Sequence, residues 1–217
     1  MSRAADDGTE SRSANGLWRD FESDGYRPFN DVGLSQVLHI HESRDGRDGN
    51  RITTVSILDQ EGLRLEPLFY FAYGSNMDLD QVDARGLQTV SHQPGRLDGY
   101  CLVFNKLNTR VEGAAHANIV KRGGDAVEGV LFELSSPEAI AQMDPYEGVP
   151  TRYRRVIVDV VSKGVSLSAW TYIAQPAYVR EGLLPTRDYL ARLLAGRPFL
   201  SESYWTELSR QSCIEDG

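Results

Sequence analysis

The sequence predicts an α+β protein: a small, mainly antiparallel, barrel-like β-sheet with peripheral helices, preceded by a β-rich extension. Three observations lead there. From residue 68 onward, runs of β-branched and aromatic residues recur at short intervals between turn residues. Helix signals are few and short. One run, Leu68-Phe69-Tyr70-Phe71-Ala72, is apolar without alternation, as expected of a strand covered on both faces, and it stops abruptly at Gly74-Ser75-Asn76.

Taken in order, residues 1–16 are rich in Ser, Asp, Gly and Ala and read as a disordered tail. Residues 17–66 form an extension that carries Trp18, Phe21, Tyr26 and Phe29 and can therefore pack. Within it, 36–41 alternates, with Val37, His39 and His41 on one face. A turn-rich stretch follows at 44–50, and then a β-branched strand over 52–58 with 63–66 as its expected hairpin partner. The main domain is expected over 67–210, with a tail at 211–217. Its further strands are read at 100–104, 114–120 and 127–134, with a turn at Arg122-Gly123-Gly124-Asp125, and then at 153–161 and 167–174 around a Lys163-Gly164 turn. Ser136-Pro137-Glu138 is a helix start, since serine caps, proline suits the first helical position and an acid suits the dipole. Thr186 is the expected cap of a helix ending near Gly196, and 201–210 is the last helix.

Composition narrows the function classes. Hydrophobic residues make up 41% and charged residues 25%, as in soluble globular proteins. The net charge of −8 comes with no basic block, which argues against nucleic acid as a partner. No run approaches the ~20 apolar residues of a membrane helix, and residues 1–15 lack the apolar core of a secretory signal. Cys101 sits in an apolar strand pattern and reads as a packed thiol, and Cys213 lies in a polar tail, so no disulfide is expected. The expected setting is a reducing cytoplasm, and oligomeric state is not legible.

Candidate chemistry begins at the strand end. Glycine at 74 lets a ligand approach the backbone, and Ser75 and Asn76 supply short polar groups beside exposed N–H groups that could hold a carbonyl or carboxylate. An ordinary turn would look the same. Glu147, after a short helix and before Gly148, is the best acid/base candidate if its surroundings are partly apolar, and a solvated surface glutamate if not. A serine hydrolase built on Ser75, with His116 as base and Asp144 as orienter, lacks the second glycine of a nucleophile elbow, because Met77 stands there. His39 and His41 could be half of a metal site, but no third ligand is evident. Tyr153, Tyr172 and Tyr189 are either core or hydroxyl donors to a pocket.

The ordered set Phe69-Tyr70-Phe71-Ala72-Tyr73-Gly74-Ser75-Asn76-Met77, then Glu147-Gly148, resembles the γ-glutamylcyclotransferase superfamily over about residues 67–208. Residues 113–119, the strand Glu128-Gly129-Val130-Leu131-Phe132, the segment Trp170-Thr171-Tyr172 and the late helix with Tyr189 fall in the same order. The resemblance implies a small mixed barrel with a pocket between the loop and the glutamate. Tyr73, Gly74, Ser75, Asn76 and Met77 would hold the glutamyl moiety, and Tyr153, Tyr172 and Tyr189 would line the pocket. Glu147 would be the general acid/base. It would free the substrate's α-amine, which closes on its own γ-carbonyl to give 5-oxoproline and release an amino acid or amine, with no metal or cofactor. The loop leans toward γ-glutamyl amino acids. Two departures stand out: the spacing from Glu147 to Tyr153 is tighter than in some animal members, and Asp144-Pro145-Tyr146 also differs. The alternative is a binding or regulatory protein that uses the same barrel without turnover.

Overall fold

The computed structural model describes residues 66–214, together with the backbone of two preceding strands, β1 (Val37–Arg44) and β2 (Arg51–Leu58). The expected tail at 1–16, the turn at 44–50 beyond Arg44 and most of 59–66 lie outside the described residues, as do the side chains of His39 and His41.

Five strands close on themselves: β3 (Phe69–Ala72), β4 (Thr89–Leu107), β5 (Ala115–Leu134), β6 (Tyr153–Ser162) and β7 (Val165–Ala174). The order runs β7-β3-β5-β4-β6, and a β6–β7 pairing returns to the start. All contacts in this ring are antiparallel except β3 with β7, so the barrel is mixed. Closure removes the free edges an open sheet would expose. The hydrophobic core of the protein includes Phe71, Val127, Val130, Leu131 and Val160 from the strands and Ile140 and Met143 from the segment packed against them, all essentially inaccessible to solvent.

The β6–β7 hairpin follows directly from its sequence. Lys163 and Gly164 both take positive φ (49° and 78°), as a two-residue type I′ connection requires, and Ser162 pairs with Val165 across it. β2 is present as expected, paired antiparallel with β1 and, at Thr53–Val55, parallel with β7. Its expected hairpin partner at 63–66 lies, apart from Glu66, outside the described residues.

β4 also extends well beyond the expected 100–104. Residues 89–99 contain Pro94 and Gly95, which locally spell a turn. The barrel uses both. Pro94 stands where β6 contacts β4 at a single pair, Arg96 with Val161, and its carbonyl accepts from the Ser162 hydroxyl at 2.6 Å. Gly95 faces Gly129 across the ladder, and the Phe71 ring lies over both: a Cβ on either would come within 3.1 Å or less of Phe71 Cε2. The Arg122–Asp125 turn exists as a bulge rather than a reversal. Asp98 pairs with Ala126 and Tyr100 with Lys121, so residues 122–125 swell out opposite Gly99 while β5 continues.

Among the described residues four α-helices lie around the barrel: α1 (Leu79–Ala84), α2 (Asp144–Glu147), α3 (Arg187–Leu194) and α4 (Glu202–Ser209). The expected cap of α3 is present, with Thr186 Oγ1 accepting from the Tyr189 amide, and α4 is capped in the same way by Ser201, whose Oγ accepts from the Tyr204 amide. Ser136 differs. Its side chain makes no cap bond, and the segment it precedes, Pro137–Met143, is a 3-10 helix that leads into α2. α1 was not foreseen. Its signals were Asp80 in the first turn and Gly86 at φ 76° just past the end.

Candidate active site

β3 ends at Ala72, and the chain turns at once into a one-turn 3-10 helix, Ser75–Met77. Among the described residues its backbone bonds are few: the Met77 amide donates to Gly74 O and the Asp78 amide to Ser75 O. The leading N–H groups of such a turn have no intrahelical acceptor. Gly74 packs closely here, since a Cβ at that position would sit 3.3 Å from the Tyr189 hydroxyl and 3.5 Å from Ala117 Cβ. Met77 is fully buried, and Gly196, just past α3, approaches its side chain too closely to carry a Cβ of its own.

Glu147 arrives from the opposite direction, as the last residue of α2. The helix is tied down through Asp144, which accepts from the Tyr172 hydroxyl at 2.9 Å and pairs with Arg155 at 3.3 Å. Gly148 then takes the left-handed conformation (φ 67°), its carbonyl accepts from the Arg152 amide, and the Arg152 side chain lies where a Cβ would be. The result brings Glu147 Oε1 to 2.9 Å from Nδ2 of Asn76, a residue 71 positions earlier.

Asn76 is the hub. Only 4% exposed, it donates to both Tyr70 Oη (2.7 Å) and Glu147, while its own oxygen accepts from Gln81 (3.0 Å) and Arg85 (2.6 Å). Both donors and both acceptor positions of the amide are therefore used. Arg85 also lies 3.5 Å from Glu147 Oε1 and stacks over the Tyr146 ring. Burial pushes the Glu147 carboxyl above the ordinary carboxylate range, while Arg85, Asn76, Lys106 and Arg152 pull it back in that order.

The tyrosines close the surroundings. Tyr73 donates to the Tyr172 carbonyl and Tyr153 to the Ala117 carbonyl, so both phenols are committed within the protein. Tyr189 Oη accepts from the Ala117 amide at 2.9 Å and keeps its own proton to donate. Burial raises all three phenols, so they stay neutral. Tyr172 is fixed on Asp144 rather than left open.

The imagined Ser75-His116-Asp144 set is not assembled. Ser75 Oγ accepts from Gln81, His116 Nδ1 faces Lys106 Nζ at 3.4 Å, and Asp144 is held by Tyr172 and Arg155. No group of three or more potential metal ligands occurs among the described residues. Sequence reasoning missed Tyr70, Gln81, Arg85, Lys106 and Arg152. A cavity of about 390 Å³ lies elsewhere, against α4 and lined by Cys101, Arg122, Tyr204 and Glu207, and it includes none of these groups.

A closed mixed barrel with a single 3-10 turn facing a largely buried carboxylate defines a recognisable class. The family model described as gamma-glutamyl cyclotransferase, AIG2-like, matches residues 70–191, and the chain belongs to that family. YkqA of Bacillus subtilis, whose name assigns it gamma-glutamylcyclotransferase activity provisionally, is 32% identical over 143 residues, 62% of this chain and 49% of that protein. The mouse gamma-glutamylcyclotransferase is 30% identical over 119 residues, 52% of this chain and 61% of that protein. The matches thus span about half to three fifths of these relatives. Among solved structures, an uncharacterized human protein superposes with a TM-score of 0.63 at 22% identity, covering 70% of this chain and 92% of that one. A gamma-glutamyl cyclotransferase superposes at 0.59 and 23%, covering 69% and 90%. At these identities the structures speak to the fold.

Proposed function

We propose that the protein cyclises a γ-glutamyl group to 5-oxoproline and releases the attached amine, with Glu147 as general base and then general acid. The observation that carries this reading is the Glu147–Asn76 hydrogen bond, which sets a largely buried carboxylate of raised pKa, its side chain 15% exposed, against the Tyr-Gly-Ser-Asn loop. Family membership and the named relatives support it.

The chemistry suits the residue types. Glu147 takes a proton from the α-ammonium, the freed amine attacks the γ-carbonyl carbon, and a five-membered ring closes. The bond to the leaving nitrogen then breaks as Glu147 returns that proton to it, and the second proton of the ring nitrogen passes to the departing amine, which leaves as an ammonium. No external nucleophile is needed. The task left to the protein is to hold amine and carbonyl within roughly 3–3.5 Å in the folded conformer. Loop N–H groups at 74–76 and the Tyr189 hydroxyl would stabilise the developing oxyanion. With Tyr73, Tyr153 and Tyr172 spent on internal bonds, their part is to shape the pocket walls. We infer γ-glutamyl amino acids as the substrate class, as the loop residues suggest.

Two expectations arise here. Ser75→Ala should retain most activity, since no nucleophilic serine is invoked; loss comparable to that of a Glu147 variant would favour an acyl-enzyme route instead. Arg85 favours the ionised form of Glu147, so Arg85→Met should raise the carboxyl pKa further. Because the base form starts the reaction, the acid limb of kcat/KM should move to higher pH in that variant. An unmoved limb would show that Arg85 does not tune the base.

A further inference from the structure

Lys106 is the least explained charge in the protein. It lies near the end of β4, directly across the ladder from His116, and is 3% exposed. Buried ammonium groups are ordinarily paired with a carboxylate. Here, among the described residues, no carboxylate is in ion-pair contact with it. Its neighbours are the ring nitrogen of His116 at 3.4 Å and the face of Tyr153, with the ring centroid 5.4 Å away. His116 offers no compensating charge: burial, then Lys106 itself, pushes its pKa down to about 4, so it is neutral. Arg152, beside Gly148, adds a second positive group within electrostatic reach of both Lys106 and Glu147, and it too has no carboxylate partner among the described residues.

We propose that Lys106, assisted by Arg152, is the counter-ion for the free α-carboxylate of the γ-glutamyl end, and that this pair restricts turnover to substrates in which that carboxylate is unmodified. The inference rests on the cyclotransferase reading. The geometry follows from the substrate's covalent structure. The α-ammonium that Glu147 deprotonates and the α-carboxylate hang from one carbon, so the carboxylate must come to rest close to Glu147. Three cations act on Glu147, and Arg85 is already engaged by Asn76, Glu147 and Tyr146. Lys106 and Arg152 are left, and a substrate carboxylate there completes a charge balance the free protein lacks.

The test compares 5-oxoproline release from three compounds by wild type, Lys106→Met and Lys106→Gln. The compounds are γ-glutamyl-alanine, γ-glutamyl-methylamide and the α-carboxamide of γ-glutamyl-alanine. Wild type should discriminate strongly against the α-carboxamide. Both variants should lose about 10²-fold in kcat/KM on the first two compounds, mainly through KM, and little on the third. Lys106→Met should also melt above wild type, because it replaces an unpaired buried charge with an apolar chain of similar length. Equal losses on all three compounds would overturn the proposal while leaving cyclotransfer standing, as would wild type accepting the α-carboxamide as well as the acid. Losses confined to the two alanine compounds would also overturn it, by assigning Lys106 to the leaving group. If wild type releases 5-oxoproline from none of them, the cyclotransferase reading falls, and calorimetric titration with L-glutamate and its α-amide decides the lysine's role. Binding of glutamate alone, lost in Lys106→Met, keeps it as a carboxylate site, and any other pattern removes it.

Discussion

Replacing Glu147 by glutamine is expected to lower 5-oxoproline release from γ-glutamyl substrates by about 10²-fold or more while the barrel stays folded. Glutamine keeps the size of the side chain and an oxygen that can still accept from Asn76 Nδ2, so the hub around Asn76 survives. What disappears is the ability to take a proton and give it back. Arg85 loses one partner but keeps the Asn76 oxygen and the Tyr146 face. The same substitution carries a stability signature of known sign. The folded-state pKa of Glu147 is raised, chiefly by burial, so the folded protein binds this proton more tightly than the unfolded chain does. As pH rises through that raised pKa, ionised Glu147 opposes folding. Glu147→Gln should therefore melt at or above the wild-type temperature at neutral pH, and the advantage should vanish below the ordinary carboxylate pKa. Lost turnover with retained or increased stability would separate a chemical role from a structural one. Near-normal turnover would remove Glu147 from the mechanism.

The largest loss of stability is expected at Gly129. An alanine Cβ there would overlap the Ala72 carbonyl oxygen and meet the Phe71 ring at 3.0 Å. Neither contact can yield cheaply. Ala72 is the last residue of the short strand β3 and is paired with Val130, while Phe71 is fully buried and already pressed against Gly95 on the facing strand. Relief would require β3 to move away from β5, and β3 also carries the loop that faces Glu147. Gly129→Ala should cost about 3 kcal/mol or more by urea unfolding, at the upper end of overpacking penalties. Gly123→Ala is the matched control. It also lies on β5, but a Cβ there meets nothing, so the change should stay within roughly 0.5 kcal/mol. Similar small effects at both positions would show that the Phe71–glycine contact does not hold the barrel closed.

Much of this was legible residue by residue. The apolar run before Gly74 ends where the strand ends, Thr186 caps the helix it precedes, and Lys163-Gly164 makes the hairpin turn. Each of these depends on dihedral preferences or hydrogen bonds within a few residues. Failures came where a local signal was outvoted. Pro94-Gly95 spells a turn, yet β4 runs straight through it, because the barrel needs a carbonyl for Ser162 and a surface without side chains beneath Phe71.

The site divides along the same line. The sequence by itself determined most of the strands, the stop at Gly74-Ser75-Asn76 and the Thr186 cap, because these are written in short-range periodicity and turn chemistry; α1, the first half of β4 and the place of Glu147 inside α2 were not read from it. Only the tertiary structure decided that Asn76 and Glu147 meet across 71 residues, that Arg85 and Gln81 complete the amide's bonding, and that Lys106 is buried opposite a neutral histidine with no carboxylate in ion-pair contact among the described residues. The reason is that hydrogen-bond partners and desolvation belong to the closed barrel. A glutamate or lysine has no pKa shift, and an asparagine no fourfold set of partners, until closure brings distant strands within reach.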